Sequence, residues 1–228
     1  MIISHKYKFI WFQPRKTAST TIYKRLGLYN ESPYKQQKYF NRNLRKISDK
    51  HILLKEFLIL PEARLDYKKI IFVRNPYDRF YSDYLQCKKD YIMNHGNDFS
   101  AKPWGLILKK GFPYFCEYSY KTFKKSEYLI SLISNYDNVV YNDENIIDYI
   151  GFVERFETDF NKICSLLNIT KYSKKSENVE LPQIYCNPLE MNIKDYKYLN
   201  QYSNEQIRLV NEIFEKDFGF FKYLKVDA

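Results

Sequence analysis

One lysine and four hydroxyl-bearing residues follow a short apolar run near the start of the chain. Lys16 is followed by Thr17, Ser19, Thr20 and Thr21. A cation and hydroxyl donors at this spacing suit an anionic group such as a phosphate. If Thr17 opens a helix, the first backbone N–H groups and the helix dipole favour the same ligand. The spacing therefore predicts an anion-binding loop.

This loop differs from the common nucleotide-binding loop because it contains no glycine. A Walker A loop reads GxxxxGK followed by Ser or Thr, whereas residues 8–26 read KFIWFQPRKTASTTIYKRL. An ordinary ATP or GTP loop is therefore disfavoured, and a different phosphate-bearing ligand is needed.

A second cationic segment lies at residues 68–85, which read KKIIFVRNPYDRFYSDYL. Arg74 follows an apolar run, Arg79 comes in the first turns of the predicted helix, and Ser82 lies further along. An arginine fork with a serine hydroxyl suits a phosphate monoester. An arginine at a strand end is by itself often a surface ion-pair residue, so it is the pairing with the first loop that favours a ligand contact.

Both segments lie between strand-like and helix-like sequence. We predict a strand over residues 8–13, a helix over about 17–26, a buried strand over 70–73, and a helix that begins at Pro76 with Asn75 as its cap. Such alternation predicts an α/β fold with a parallel sheet, whose ligands bind at the carboxyl ends of the strands. Further predicted elements are a strand at 139–141, a helix at 158–167, a loop at 171–179, and a last helix with Ser203 and Gln206 as a capping box and an apolar stripe at Ile207, Val210, Ile213, Phe214 and Phe218.

Composition sets wider limits. The 228 residues are 45% hydrophobic and 18% aromatic with a net charge of +10, which predicts one folded domain over residues 1–228. The charge fits an anionic ligand, an acidic polymer, a membrane surface or a solvated basic face. Four cysteines without a CxxC pair predict reduced thiols and no zinc site. No apolar stretch approaches the roughly 20 residues of a membrane span, and no signal peptide is seen, so a cytoplasmic protein is expected.

The two segments resemble motifs of the sulfotransferases that use 3′-phosphoadenosine 5′-phosphosulfate (PAPS), within the carbohydrate-type branch, sulfotransferase family 2, that includes heparan 2-O-sulfotransferase. The 5′-phosphosulfate loop of that family reads approximately PKTASTS, and residues 15–21 read RKTASTT. Its 3′-phosphate motif reads approximately VRNPYDRxxSxY, and residues 73–84 read VRNPYDRFYSDY. IGFVERFETDF at 150–160 and EIFEKDFGFFKY at 212–223 are also similar, so the resemblance covers nearly the whole chain.

The resemblance implies a P-loop-like, three-layer fold with a central, mostly parallel sheet flanked by helices. It also implies sulfuryl transfer from PAPS to a hydroxyl acceptor, with a carbohydrate expected and a small-molecule hydroxyl as the other possibility. Lys16 would contact the phosphosulfate and its bridging oxygen, and Arg74 and Ser82 would hold the 3′-phosphate. The remaining expected loop contacts are Arg15, which replaces the family proline, Thr17, Ala18, Ser19, Thr20 and Thr21. No metal and no nucleic acid are expected.

Sulfuryl transfer also needs a base for the acceptor hydroxyl. The histidines are His5, His51 and His95, and His51 is predicted because it lies between the two segments, where related enzymes carry a histidine. An imidazole titrates near working pH. A capping or surface role for His51 and the use of Glu56 as base both stay open.

Two other functions remain as alternatives. A kinase-like phosphotransferase fits an α/β scaffold, although the Walker glycines and an evident magnesium carboxylate are missing. A basic module that binds nucleic acid or another polyanion fits the charge and the 23 tyrosines. Tyr77, Tyr81 and Tyr84 fall at helical spacing, however, which favours packing over base stacking.

Overall fold

The structure is a computed structural model that describes residues 1–33, 38–40, 46–48, 51–95, 103–126, 132–169 and 195–227. The predicted loop at 171–179 lies outside the described residues. The chain divides into two compact units. Unit 1 comprises residues 1–74 and 135–187, and unit 2 comprises residues 75–134 and 188–228. One domain over residues 1–228 stays a prediction.

The secondary structure of the described residues alternates strands and helices. The strands are β1 (Ile2–Ser4), β2 (Phe9–Phe12), β3 (Lys38–Phe40), β4 (Lys46–Ser48), β5 (Lys68–Val73), β6 (Val140–Tyr141), β7 (Glu144–Asn145) and β8 (Tyr149–Phe152). The α-helices are α1 (Ser19–Leu26), α2 (Leu54–Phe57), α3 (Pro76–His95), α4 (Trp104–Lys110), α5 (Phe112–Lys124), α6 (Phe156–Leu166), α7 (Asn204–Ile213) and α8 (Glu215–Phe221). Short 3₁₀ helices cover Gly27–Tyr29, Pro61–Arg64, Tyr136–Asn138, Val153–Arg155 and Leu199–Gln201.

Unit 1 is built on a four-stranded sheet in the order β1-β2-β5-β8. The β1 strand is antiparallel to β2, whereas the β2–β5 and β5–β8 pairs are parallel. The β5 strand is apolar and buried from Ile70 to Val73, as expected for a strand covered on both faces. The predicted mixed α/β fold with a mostly parallel central sheet is confirmed.

Large aromatic rings pack against one another within the core of unit 1. The ring of Trp11 on β2 stacks on Phe72 of β5 with 5.6 Å between centroids, and Phe160 of α6 lies 5.8 Å from Trp11. Gly151 lies opposite Phe72 in the β5–β8 register, and a Cβ there would lie 2.5 Å from the Phe72 ring. The glycine therefore gives the ring its space.

The outer edge of β1 is occupied by the chain that follows α1. Asn30 Oδ1 accepts a hydrogen bond from Ile3 N at 3.2 Å, and Glu31 N donates to Ile3 O at 2.7 Å. The Glu31 carboxylate also accepts from the backbone N–H groups of His5 and Lys6. These bonds, that of Lys6 most of all, lower the pKa of Glu31.

Unit 2 packs around α3. Asn75 caps the helix, since its Oδ1 accepts from Asp78 N at 2.8 Å, and Pro76 is its first residue, as predicted. Tyr77 and Phe80 are fully buried and Tyr84 is 6% exposed. The tyrosines at helical spacing that lie in this core are therefore packing residues.

The last predicted helix begins as expected and then divides. Ser203 and Gln206 form the capping box, with Gln206 N donating to Ser203 Oγ and Ser203 N donating to Gln206 Oε1. The predicted apolar stripe is buried. The helix ends at Ile213, however, and α8 begins after Phe214, whose φ of −112° and ψ of 28° leave helical geometry.

Candidate active site

The sheet of unit 1 brings the two predicted anion-binding segments to one edge. The β2 and β5 strands are parallel neighbours, with Phe12 opposite Ile71. The loop that contains Lys16 leaves the carboxyl end of β2, and Arg74 follows the carboxyl end of β5. Adjacent strands lie about 4.8 Å apart, so Lys16 and Arg74 belong to segments that start next to each other at the ligand-binding edge of such sheets.

The backbone of the loop is held in an unusual conformation. Lys16 and Ala18 have φ values of 62° and 61°, in the left-handed region that costs a residue with a Cβ about 1–2 kcal/mol. Thr17 between them does not share this conformation. Alternation of this kind is typical of a nest, a concave turn whose successive N–H groups face one side and suit an anion, and we call residues 16–18 the nest. The loop does without glycine by accepting strain.

The first helix starts later than predicted, and it starts without a side-chain cap. Ala18 is the N-cap residue of α1 and contributes no side-chain hydrogen bond. The helix begins at Ser19 rather than Thr17 because left-handed Ala18 cannot be part of it. The first N–H groups of a helix carry partial positive charge and favour an anion.

Two side chains fasten the loop from inside. Thr17 Oγ1 donates to Pro14 O at 2.9 Å, and Gln13 Nε2 donates to Ser19 O at 3.1 Å. Both side chains are almost fully buried. The hydroxyl of Thr17 is therefore engaged within the loop, which leaves its backbone N–H as the group for the predicted ligand contact.

The other predicted loop residues are more accessible. Arg15, Lys16 and Ala18 are half-buried, and Thr20 and Thr21 are exposed. Ser19 is 8% exposed. Two half-buried cations therefore lie in the nest and next to it, where their charge suits an anionic ligand.

His51 contacts the same loop. Its Nδ1 lies 2.6 Å from Gln13 O, and the ring is half-buried. A carbonyl oxygen only accepts, so Nδ1 carries a proton in this bond, and Nε2 holds the lone pair of the neutral ring. Glu56 is used differently, because its Oε2 accepts from Leu53 N at 3.0 Å and caps α2. His51 is thus the better candidate base of the two.

The residues of the second motif have different surroundings. Arg74 is half-buried, and its carbonyl oxygen accepts from Asn135 Nδ2 at 3.1 Å. In unit 2, Ser82 is half-buried on α3. Arg79 is 5% exposed, and it contacts Ile133 O and Asp217 through its two terminal nitrogens.

The α1 helix is fixed to α6 within unit 1. The guanidinium of Arg25 donates to both oxygens of Glu157 at 2.8 and 2.5 Å and lies over the ring of Phe160. This bidentate pairing lowers the pKa of the Glu157 carboxyl. The nest lies at the start of α1, and the far end of α1 contacts α6. The helix that follows the nest is therefore held in place within unit 1.

Gln13 contacts two of the predicted site residues, and its sequence position alone did not single it out. Its backbone contacts His51 and its side chain contacts the first residue of α1. A polar residue between an apolar strand and a proline was the available signal, although it does not specify which partners the amide finds.

Comparisons with known proteins agree with these motifs. A family model described as the sulfotransferase family matches residues 1–224. No curated protein and no solved structure matches the chain. Within the described ranges, no three His, Cys, Asp or Glu side chains form a group that could hold a metal ion, and no helix combines the length and apolar character needed to cross a membrane.

Proposed function

Because the chain belongs to the sulfotransferase family, we propose that it transfers the sulfuryl group of PAPS to the hydroxyl of a carbohydrate acceptor. The observation that supports this most is the contact between His51 and Gln13, which joins the candidate base to the loop of Lys16. A P-loop-like arrangement, in which a strand, an anion-binding loop and a helix follow one another, is part of the proposal.

The loop after β2 binds the phosphosulfate end of the donor. PAPS supplies a sulfuryl group that is already activated by its link to a phosphate. The nest around Thr17 and the start of α1 present N–H groups to its oxygens, and Lys16 neutralises the charge that develops on the bridging oxygen. Arg74 and Ser82 are assigned to the 3′-phosphate on the resemblance of their motif.

His51 accepts the proton of the acceptor hydroxyl. The acceptor oxygen forms a bond to sulfur while the bond between sulfur and the bridging oxygen breaks in line. The hydroxyl proton passes to Nε2 of His51, the nitrogen that is unprotonated when Nδ1 donates to Gln13 O. The leaving group departs as 3′-phosphoadenosine 5′-phosphate (PAP), with the bridging-oxygen electron pair stabilised by Lys16.

Thermal-shift titration with PAP, ATP and adenosine 5′-phosphosulfate tests the donor. A ligand at ~100 times its dissociation constant adds about 2.7 kcal/mol of apparent stability. We expect PAP to give the largest shift on the wild type, and Lys16→Ala and Arg74→Ala to reduce it. Lys24→Ala is the matched control, since Lys24 is exposed on α1 and keeps the full shift.

The same titration separates the alternatives. A shift with ATP and magnesium but none with PAP would favour a phosphotransferase. Nucleic-acid binding that falls steeply with salt, again without a PAP shift, would favour a polyanion-binding module. Sulfate transfer from labelled PAPS then tests the reaction, and we expect Lys16→Ala to lower kcat by about 10²–10³-fold.

A further inference from the structure

Gln13 forms hydrogen bonds in two directions from one position. It lies between the last residue of β2 and Pro14. Its carbonyl oxygen accepts from His51 Nδ1 at 2.6 Å, and its Nε2 donates to Ser19 O at 3.1 Å. One buried residue thus contacts both the imidazole and the helix start that completes the nest.

The direction of the Gln13 carbonyl is set from three sides. The preceding residue, Phe12, is held in the sheet, and the following residue is a proline, which restricts Gln13 to extended conformations. The side-chain amide then fixes Gln13 to Ser19 across the loop. A ring that hydrogen-bonds to this carbonyl takes its orientation and its tautomer from it.

Only one of the two polar atoms of the Gln13 side chain is paired among the described residues. The side chain is 1% exposed, and within the described part of the chain its Oε1 is buried without a hydrogen-bond partner. A buried unsatisfied acceptor destabilises a protein. An unbranched apolar side chain of similar length avoids this cost, so packing alone does not account for a glutamine here.

We propose that Gln13 is a positioning residue that couples His51 to the anion-binding loop and holds the imidazole in the Nδ1–H tautomer. The role of His51 as the base rests on the proposed function, whereas the control of its tautomer by Gln13 does not. Gln13 contacts both the imidazole and the start of α1, next to the nest. A loop conformation that binds the donor therefore also orients the base.

Long-range ¹H–¹⁵N NMR of the histidine rings tests the coupling without any assay of transfer. The chain has three histidines, and His51→Ala identifies the His51 signals. We expect the neutral wild-type ring to be the Nδ1–H tautomer and Gln13→Met to give a mixture with the Nε2–H tautomer. An unchanged tautomer in Gln13→Met overturns the proposal, whatever the reaction of the protein is.

A second measurement separates positioning from stability. We expect Gln13→Met to keep or raise the melting temperature while kcat falls at least tenfold, with a smaller change in KM for PAPS. In a His51→Ala background the same substitution lowers kcat less than twofold. Equal losses in both backgrounds, or a kcat loss that follows a lower melting temperature, overturn the proposal.

Two further variants complete the design. Gln201→Met makes the same chemical change at an exposed position of unit 2 and leaves both the tautomer and kcat unchanged. If Gln13→Met does not fold, Gln13→Leu replaces it, because leucine also lacks a donor for Ser19 O and leaves no buried polar atom unpaired. If every variant keeps the Nδ1–H tautomer, the coupling is rejected. If the wild type also shows no turnover of PAPS, the proposed function is rejected as well.

Discussion

In the loop between β2 and α1, the cationic side chains are half-buried and the backbone is strained, whereas in the first turns of α3 the charged side chains are buried. Asp78 and Arg79 are 4% and 5% exposed, and Asp78 accepts from Lys197 N and Tyr198 N. Strained backbone clusters at functional sites, which agrees with the ligand-binding role proposed for the loop, while buried charges with internal partners hold elements together. The contrast in burial therefore separates the proposed ligand residues of the loop from the residues of α3 that hold unit 2 together.

The largest expected effect comes from removing the buried cation of α3. Arg79→Met leaves the fully buried Asp217 without its guanidinium, and such a change typically costs about 3–5 kcal/mol. Urea unfolding measures the loss, and the double variant Arg79→Met/Asp217→Leu is expected to recover most of it.

The same substitution in the loop sharpens the contrast. Arg15→Met is expected to cost less than about 1 kcal/mol of stability, because Arg15 is half-buried, and to weaken PAP binding instead. If Arg15→Met destabilises the protein as much as Arg79→Met, the distinction between ligand and scaffold residues does not hold.

A smaller effect, dependent on pH, is expected at Tyr77 of α3. Its hydroxyl donates to Asn211 Oδ1 and accepts from Val226 N, and burial raises its pKa to about 12. Its contribution to stability is therefore complete below pH 10 and is lost as the pH rises through about 12. Tyr77→Phe should cost about 1–2 kcal/mol at pH 7.

The pH dependence provides the check on Tyr77. Unfolding of wild type and Tyr77→Phe is measured from pH 7 to pH 12, and the difference between them should shrink above pH 10. Tyr84 and Tyr202, whose pKa values burial also raises, remain in both proteins. A difference that stays constant to pH 12 contradicts the assignment.

The smallest expected effect is a gain in stability in the loop. Ala18→Gly relieves a left-handed conformation that a Cβ disfavours, and we expect about 1 kcal/mol of added stability. Ala63→Gly is the control, because Ala63 lies in a 3₁₀ helix with no positive φ, and it should lose about 0.5–1 kcal/mol. A loss in both variants would mean that the loop is not strained.

Sequence reasoning succeeded where the signal was local. Asn75 and Pro76 at the start of α3, and Ser203 with Gln206 at the start of α7, act on groups within three residues. Propensity could not reveal that Ala18 is left-handed, because that conformation is expected of glycine. The partners of Arg79 were also hidden, since Asp217 lies 138 residues away in the chain.

The candidate site shows the same limit. The cationic loop, Arg74 and His51 were identified from residue types and a family resemblance, and the sheet topology accounts for why the two segments leave one edge. Gln13 was missed because its proposed role depends on where its carbonyl oxygen points. The identity of one residue does not determine the orientation of its carbonyl group.

The short strand β1 has a consequence for the behaviour of the protein in concentrated solution. An open strand edge offers unpaired backbone groups that can recruit another chain into a growing sheet. Both outward groups of Ile3 are already bonded, to Asn30 and Glu31. This side of the sheet is therefore closed to intermolecular strand addition, which protects the protein from aggregation through β1.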